Sequence, residues 1–168
     1  MKRIGILSDT HSSLPSEFES FFKDVDEIWH AGDIGSIEVV ERLEAFKPLK
    51  AVYGNIDEQH IRNLFPEYQL FDCESLKVLL IHIGGYPNKY DPKARSLILR
   101  HKPGLFVCGH SHILKVMYDD KHNLLHINPG AAGNFGLHRQ ITMIRFTVEN
   151  ARAGNLEVFD KPRWKQGQ

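Results

Sequence analysis

The stretch Ile4-Gly5-Ile6-Leu7-Ser8-Asp9-Thr10-His11 reads as a buried strand that opens into a polar loop. Four apolar residues run without a break and stop at a hydroxyl and a carboxylate. The pattern then recurs. Glu27 to Ala31 is a second run, ending at Gly32-Asp33, and Leu49 to Tyr53 is a third, ending at Gly54-Asn55. Helical patterns separate the runs. Pro15 to Phe22 places Phe18, Phe21 and Phe22 on one face. Ile37 to Phe46 has Ile37, Val40 and Leu43 at helical spacing, with Ser36 as its expected cap and Pro48 closing it. Glu58 to Phe65 reads as a short helix stopped by Pro66. This alternation predicts parallel strands covered by helices.

After Pro66 the texture changes. Tyr68 to Phe71 and Leu76 to Ile83 read as a hairpin across Asp72-Cys73-Glu74-Ser75. Pro92 to His101 reads as a helix with proline at its start. Leu105 to Cys108 is a strand. Lys115 to Tyr118 and Leu124 to Ile127 form a second hairpin pattern, and Ile141 to Val148 and Leu156 to Phe159 pair around Gly154. The polar tail Lys161 to Gln168 reads as a solvated end. The expectation is one α/β domain over residues 1–168, with two sheets between helical layers.

Composition narrows the function. Lys+Arg and Asp+Glu both number 21, so no basic excess marks a protein that coats nucleic acid. Cys73 and Cys108 lie in apolar stretches away from any CxxC spacing and read as reduced core thiols. The apolar start is too brief for a signal peptide, and no apolar run approaches the ~18 residues of a membrane span. These features point to the cytoplasm. Ten histidines are many for a neutral chain of 168 residues, and histidine is the commonest metal ligand.

Their positions carry the argument. Asp9 and His11 follow the first strand, Asp33 the second and Asn55 the third. His82 ends the Leu76–Ile83 run, and His110 and His112 follow Leu105–Cys108. In open α/β sheets the carboxyl ends of the strands form the ligand-binding edge. Carboxylate, amide and imidazole donors together suit borderline divalent metals. Seven donors are too many for one tetrahedral site but suit two ions that share a bridge. Only Asp9 and Asp33 are anionic, so two divalent ions would leave surplus positive charge to attract a phosphate and acidify a bound water. Asn128-Pro129-Gly130-Ala131-Ala132-Gly133 reads as a tight turn of small residues and lacks the Gly-Lys-Ser/Thr of a nucleotide-binding P-loop.

Asp9-Thr10-His11, Gly32-Asp33, Gly54-Asn55, His82 and Gly109-His110-Ser111-His112 together resemble the signature of the calcineurin-like metallophosphoesterases. The compact length, His30-Ala31-Gly32-Asp33 and Asn128-Pro129-Gly130 are similar to the small YfcE-type phosphodiesterase branch. The resemblance implies a four-layer αββα sandwich, two mixed sheets flanked by helices. It implies that Asp9, His11 and His112 hold one metal, that Asn55, His82 and His110 hold a second, and that Asp33 bridges them. Asp33, Asn55 and His110 are then also the catalytic residues, with Asn55 orienting the phosphate and a metal-bridging hydroxide attacking phosphorus. Manganese is the first expectation for both ions, with iron, zinc, cobalt or nickel as alternatives. The implied substrate is a small phosphodiester, and a homo-oligomer is common for such domains.

Two departures from the family pattern stand out. Many relatives carry histidine directly after Gly-Asn as the acid for the leaving group, whereas this chain has Ile56, with Asp57 and His60 as nearby candidate acids. After His82 comes Ile83-Gly84-Gly85 instead of Gly-His. His30, beside the Asp33 loop, is a candidate to support the ligands from behind. His101, His122 and His138 read as surface residues and His126 as structural. Two other readings compete: a phosphomonoesterase or nucleotide phosphatase on the same metals, and a non-catalytic interaction module like the retromer subunit of this fold.

Overall fold

The computed structural model describes residues 1–163. The first third alternates as expected: β1 (Lys2–Leu7), α1 (Phe18–Phe21), β2 (Glu27–His30), α2 (Ile37–Phe46), β3 (Leu49–Ala51) and α3 (Gln59–Arg62). Then follow β4 (Tyr68–Cys73), β5 (Leu76–Ile81), β6 (Gly85–Tyr86), β7 (Lys89–Tyr90), α4 (Pro92–His101), β8 (Leu105–Val107), β9 (Leu114–Asp119), β10 (Leu124–Pro129), β11 (Gln140–Glu149) and β12 (Arg152–Pro162). One five-stranded sheet runs β12-β11-β1-β2-β3 and the other β4-β5-β8-β10-β9.

Both sheets are mixed. In the first, β1, β2 and β3 are parallel, β11 runs against them, and β12 at the edge pairs antiparallel with β11. In the second, β5, β8 and β10 are parallel, with β4 and β9 antiparallel at the two edges. The parallel strands read as unbroken apolar runs because both of their faces are covered. Between the sheets lies one core, with Ile4, Ile6 and Trp29 from the first packed with Val78, Leu80 and Val107 from the second. Phe18, Val40, Leu43 and Ile61 from the helices cover the outer face of the first sheet. Ala94, Leu97 and Ile98 of α4 cover that of the second. The result is the four-layer αββα sandwich.

Several local expectations need correction. Ser36 stands at the start of α2 but makes no capping hydrogen bond. By contrast, Asp91 accepts from the N–H groups of Lys93 and Ala94 and caps α4 with Pro92 behind it. The β11–β12 hairpin turns at Asn150-Ala151, both with positive φ, and not at Gly154, which pairs with Thr147 beside a register shift inside the ladder. β3 ends at Ala51 because Tyr53 N–H turns away to Pro66 O. β5 ends at Ile81, so His82 follows the strand instead of closing it. The short β6–β7 hairpin has no strand pattern in the sequence. Lys161 is no solvated tail residue: it belongs to β12 and bridges Glu17 at 2.7 Å, and the rest of that tail from 164 lies outside the described residues. No described helix is long and apolar enough to cross a membrane.

Candidate metal centre

The parallel strands of both sheets end at one rim, and each delivers a loop there. Asp9 and His11 follow β1, Asp33 follows β2, Asn55 follows β3, His82 follows β5, and His110 and His112 follow β8. Ligand atoms of Asp9, His11 and His112 gather within 4.8 Å of one another, and so do those of Asp33, His82 and His110. Asn55 Oδ1 joins the second group at 3.0 Å from both His82 Nε2 and His110 Nδ1. All seven positions singled out in the sequence therefore converge.

Two close approaches make this convergence feasible. A Cβ on Gly54 would lie 2.0 Å from Asp33 Oδ1, and one on Gly109 would lie 2.1 Å from Ser8 Oγ and 2.8 Å from Asp9 Oδ2. The glycines of these two motifs leave room for the carboxylates of two others. Backbone strain is concentrated here as well. Asp9, His11, Asp33, His110 and His112, five of the seven, have φ between 43° and 72°. L-residues pay roughly 1–2 kcal/mol each for this conformation, so the surrounding bonds must hold it.

Those bonds can be followed atom by atom. Asp9 Oδ2 accepts from Ser8 Oγ at 2.7 Å and from the His110 N–H at 3.0 Å, which leaves Oδ1 for the site. His82 Nδ1 lies 2.7 Å from Ala31 O, so Nδ1 carries the proton and Nε2 presents its lone pair. Asn128, read only as part of a turn, holds the Gly109–His112 loop from behind. Its Nδ2 donates to Gly109 O and Ser111 Oγ, and its Oδ1 accepts from Gly130 N–H. The small residues that follow brace the first loop, with Ala132 N–H on Ser8 O and Gly133 N–H on Asp9 O.

The three supporting candidates differ in placement. His30 is fully buried. Its Nδ1 accepts from Gly32 N–H at 3.1 Å, so Nε2 donates to Thr10 Oγ1 at 2.9 Å, and Thr10 passes a bond on to Ile34 O. It thus ties the Asp9–His11 loop to the Gly32–Asp33 loop, and burial pushes its pKa down to about 4. Asp57 is buried, with both oxygens taken by the N–H groups of Ile34, Gly35 and Gly54, so it is a latch between loops and not a leaving-group acid. His60 is exposed on α3, with its nearest carboxylate, Glu58, 3.9 Å away.

Among the other histidines, His122 is no free surface residue: its Nδ1 pairs with Asp119 at 2.8 Å. His138 is also half-buried, 3.1 Å from His112. His126 is buried with its Nε2 on Gly85 O, in keeping with a structural role.

Asp9 Oδ1 and His11 Nε2 are buried and have no hydrogen-bond partner. Asp9 Oδ1 lies only 3.2 Å from His112 Nε2, yet the two make no hydrogen bond. Lone pairs brought this close call for positive charge between them. Electrostatics agree: burial opposes ionisation of Asp9 and Asp33, but the neighbouring imidazoles outweigh it and hold both carboxyls well below their usual range. Asp33 and Asp9 in turn raise His11 to about 9. The residues present fit divalent cations at two neighbouring groups.

A family model described as a calcineurin-like phosphoesterase superfamily domain matches residues 1–151. The chain belongs to that superfamily. A probable metallophosphoesterase of Methanothermobacter thermautotrophicus is 34% identical over 133 residues, covering 76% of each chain. A phosphodiesterase of Methanocaldococcus jannaschii is 27% identical over 147 residues, covering 76% of this chain and 82% of its own. Among solved structures, Vacuolar Protein Sorting 29 of Cryptosporidium parvum superposes with a TM-score of 0.68 at 20% identity, covering 96% of this chain and 98% of that one. That last likeness speaks for the phosphoesterase fold alone. The family match extends through all seven candidate donor positions, and the metal-binding character of the superfamily accords with the two donor groups.

Proposed function

We propose that the chain is a dinuclear metal-dependent phosphodiesterase. The observation that carries this reading is the carboxylate of Asp33. Its Oδ2 lies 3.4 Å from His11 Nε2 and its Oδ1 3.2 Å from His82 Nε2, so one side chain faces both donor groups. Asp9, His11 and His112 would hold one ion and Asn55, His82 and His110 the other, with Asp33 shared. When bound, the ions would neutralise charge on the phosphoryl oxygens and acidify a water molecule. Asn55 turns Oδ1 to the imidazoles, while its Nδ2 has no acceptor among the described residues and can donate to a phosphoryl oxygen. His110 is exposed at the mouth of the site and would meet the substrate as it enters.

Ile56 sets the limits of the chemistry. It is 42% exposed beside Asn55 and contributes only its backbone N–H, which donates to Asp33 Oδ1 at 3.1 Å. Asp57 is engaged by backbone, so neither Ile56 nor Asp57 offers an acid side chain to the departing oxygen. The reading therefore favours esters whose leaving groups are already good. The relative named as a phosphodiesterase supports a diester over a monoester. We take manganese as the first metal to try, a small diester as the substrate and the cytoplasm as the setting. The full set of donors favours catalysis over the interaction-module reading.

Metal-stripped protein given Mn²⁺ should hydrolyse bis-p-nitrophenyl phosphate faster than p-nitrophenyl phosphate, and Asp33→Asn should lose both activities. A preference for the monoester would overturn the substrate class. Inactivity on both esters with Mn²⁺, Co²⁺, Ni²⁺ and Zn²⁺ would favour the interaction module.

A further inference from the structure

The segment from Gly133 to Arg139 lies against the metal centre from the side of β10. Three ties hold it. Asn134 Nδ2 donates to Ser13 Oγ at 3.0 Å, and Arg163 Nη1 donates to Asn134 O at 3.1 Å and Gly136 O at 2.5 Å. The third tie is His138, whose Nε2 is 2.8 Å from Gly133 O and whose Nδ1 is 3.1 Å from His112 Nδ1. Phe135 of the same segment packs over His11, with ring centroids 5.3 Å apart. No part of the family signature accounts for this histidine.

We infer that His138 is a positioning residue that fixes His112 in the tautomer able to bind metal through Nε2. A carbonyl oxygen only accepts, so the proton of neutral His138 sits on Nε2, facing Gly133 O. Its Nδ1 is then an acceptor, and the only hydrogen His112 can send there is the one on its own Nδ1. His112 Nε2 is thereby left with a lone pair, directed at the place where Asp9 Oδ1 lies 3.2 Å away without a hydrogen bond. Without an acceptor at Nδ1, the proton of His112 would settle on Nε2 beside the Asp9 carboxylate and block ligation. His82 obtains the same result from a backbone carbonyl, Ala31 O. Among the described residues His112 has no such carbonyl, and it relies on a side chain from 26 residues away. Gly136 belongs to the arrangement: at φ 132°, a Cβ there would lie 2.5 Å from His112 Nδ1 and displace the ring.

This inference rests on the metal role proposed for His112, and the test separates the two. The probes are Mn²⁺ titration calorimetry and the ¹⁵N shifts of His112 in metal-free protein. His138→Asn keeps an oxygen acceptor where Nδ1 stands, whereas His138→Phe keeps only bulk. Wild type and His138→Asn should show His112 protonated on Nδ1 and bind two ions. His138→Phe should show the proton on Nε2 and bind one of the two ions about 10- to 100-fold more weakly, the usual consequence of losing a ligand's hydrogen-bond partner. Thermal unfolding of each variant identifies any loss that is merely structural. Wild-type ion affinity and an unchanged His112 tautomer in His138→Phe would overturn the inference while leaving the metal centre intact. Failure of wild type to bind Mn²⁺ at all would overturn the metal reading beneath it.

Discussion

Asp57 Oδ1 accepts the Gly35 N–H at 2.8 Å across 22 residues of chain, and so latches the loop bearing Asn55 to the loop bearing Asp33. Its other oxygen accepts from Ile34 and from Gly54, so one carboxylate satisfies three backbone donors that β-structure leaves unpaired.

Asp57→Asn is therefore expected to destabilise the fold. The amide NH₂ would face N–H groups that now meet an acceptor, and leaving buried donors unsatisfied costs about 1–3 kcal/mol. Urea unfolding of metal-free protein measures this directly. An unchanged midpoint would mean that Asp57 does not act as the latch.

His11 links metal loading to pH. Its pKa is raised to about 9 by Asp33 and Asp9, above the ordinary value of 6.5, so in metal-free protein it is protonated at neutral pH. A metal takes only the neutral ring. Binding should release a proton, and apparent affinity should tighten as pH rises from 7 to about 9. The sign for stability is the opposite: the His11–carboxylate attraction is fully present below the unfolded-state value of 6.5 and is lost as pH rises through about 9. Calorimetry in buffers of different ionisation enthalpy would read the released proton. Affinity constant from pH 7 to 9 would contradict it.

His30 should make the fold sensitive to acid. Burial lowers its pKa from 6.5 to about 4, so the unfolded chain binds the proton more readily. Stability contributed by the neutral ring is complete above 6.5 and declines as pH falls towards 4, with a slope of at most about 1.4 kcal/mol per pH unit. His30→Gln should be weaker at pH 7 but show a shallower decline between pH 6.5 and 4. Parallel declines in urea midpoints for the two proteins would remove His30 as the cause.

Ile56→His tests the missing acid. The site is exposed and its contact with Asp33 uses backbone, so the substitution leaves that bond in place. General acid assistance is worth roughly 10²–10⁴-fold where geometry is good. The variant should gain at least about tenfold on phenyl or alkyl diesters and little on bis-p-nitrophenyl phosphate, whose leaving group needs no proton. Equal gains on both, or none, would show that a proton donor at this position does not limit the reaction.

The alternation of apolar run and polar loop was legible in the sequence because parallel strands buried on both faces must be apolar throughout and must end where the chain returns to solvent. For the same reason each candidate ligand could be placed at a strand end before any fold was known. Helix α4 was legible to the residue, since Pro92 announces its start, while its Asp91 cap was not read. Strand limits and turns were less so. Ile83 is apolar but lies beyond the ladder, and Asn150-Ala151, not Gly154, makes the last hairpin turn.

The sequence by itself thus determined the order of sheet and helix apart from the β6–β7 hairpin, and the seven candidate donor positions. Only the tertiary structure decided which donors face one another, and which of two oxygens or two ring nitrogens each presents. Those choices depend on hydrogen bonds between segments far apart in the chain: Asp57 on the Gly35 loop, Asn128 behind His110 and His112, His138 on the ring of His112. A residue's own pattern records whether it is apolar and how its backbone repeats. It does not record which distant donor will meet its side chain, so histidines and carboxylates with unlike duties look alike until the chain is folded.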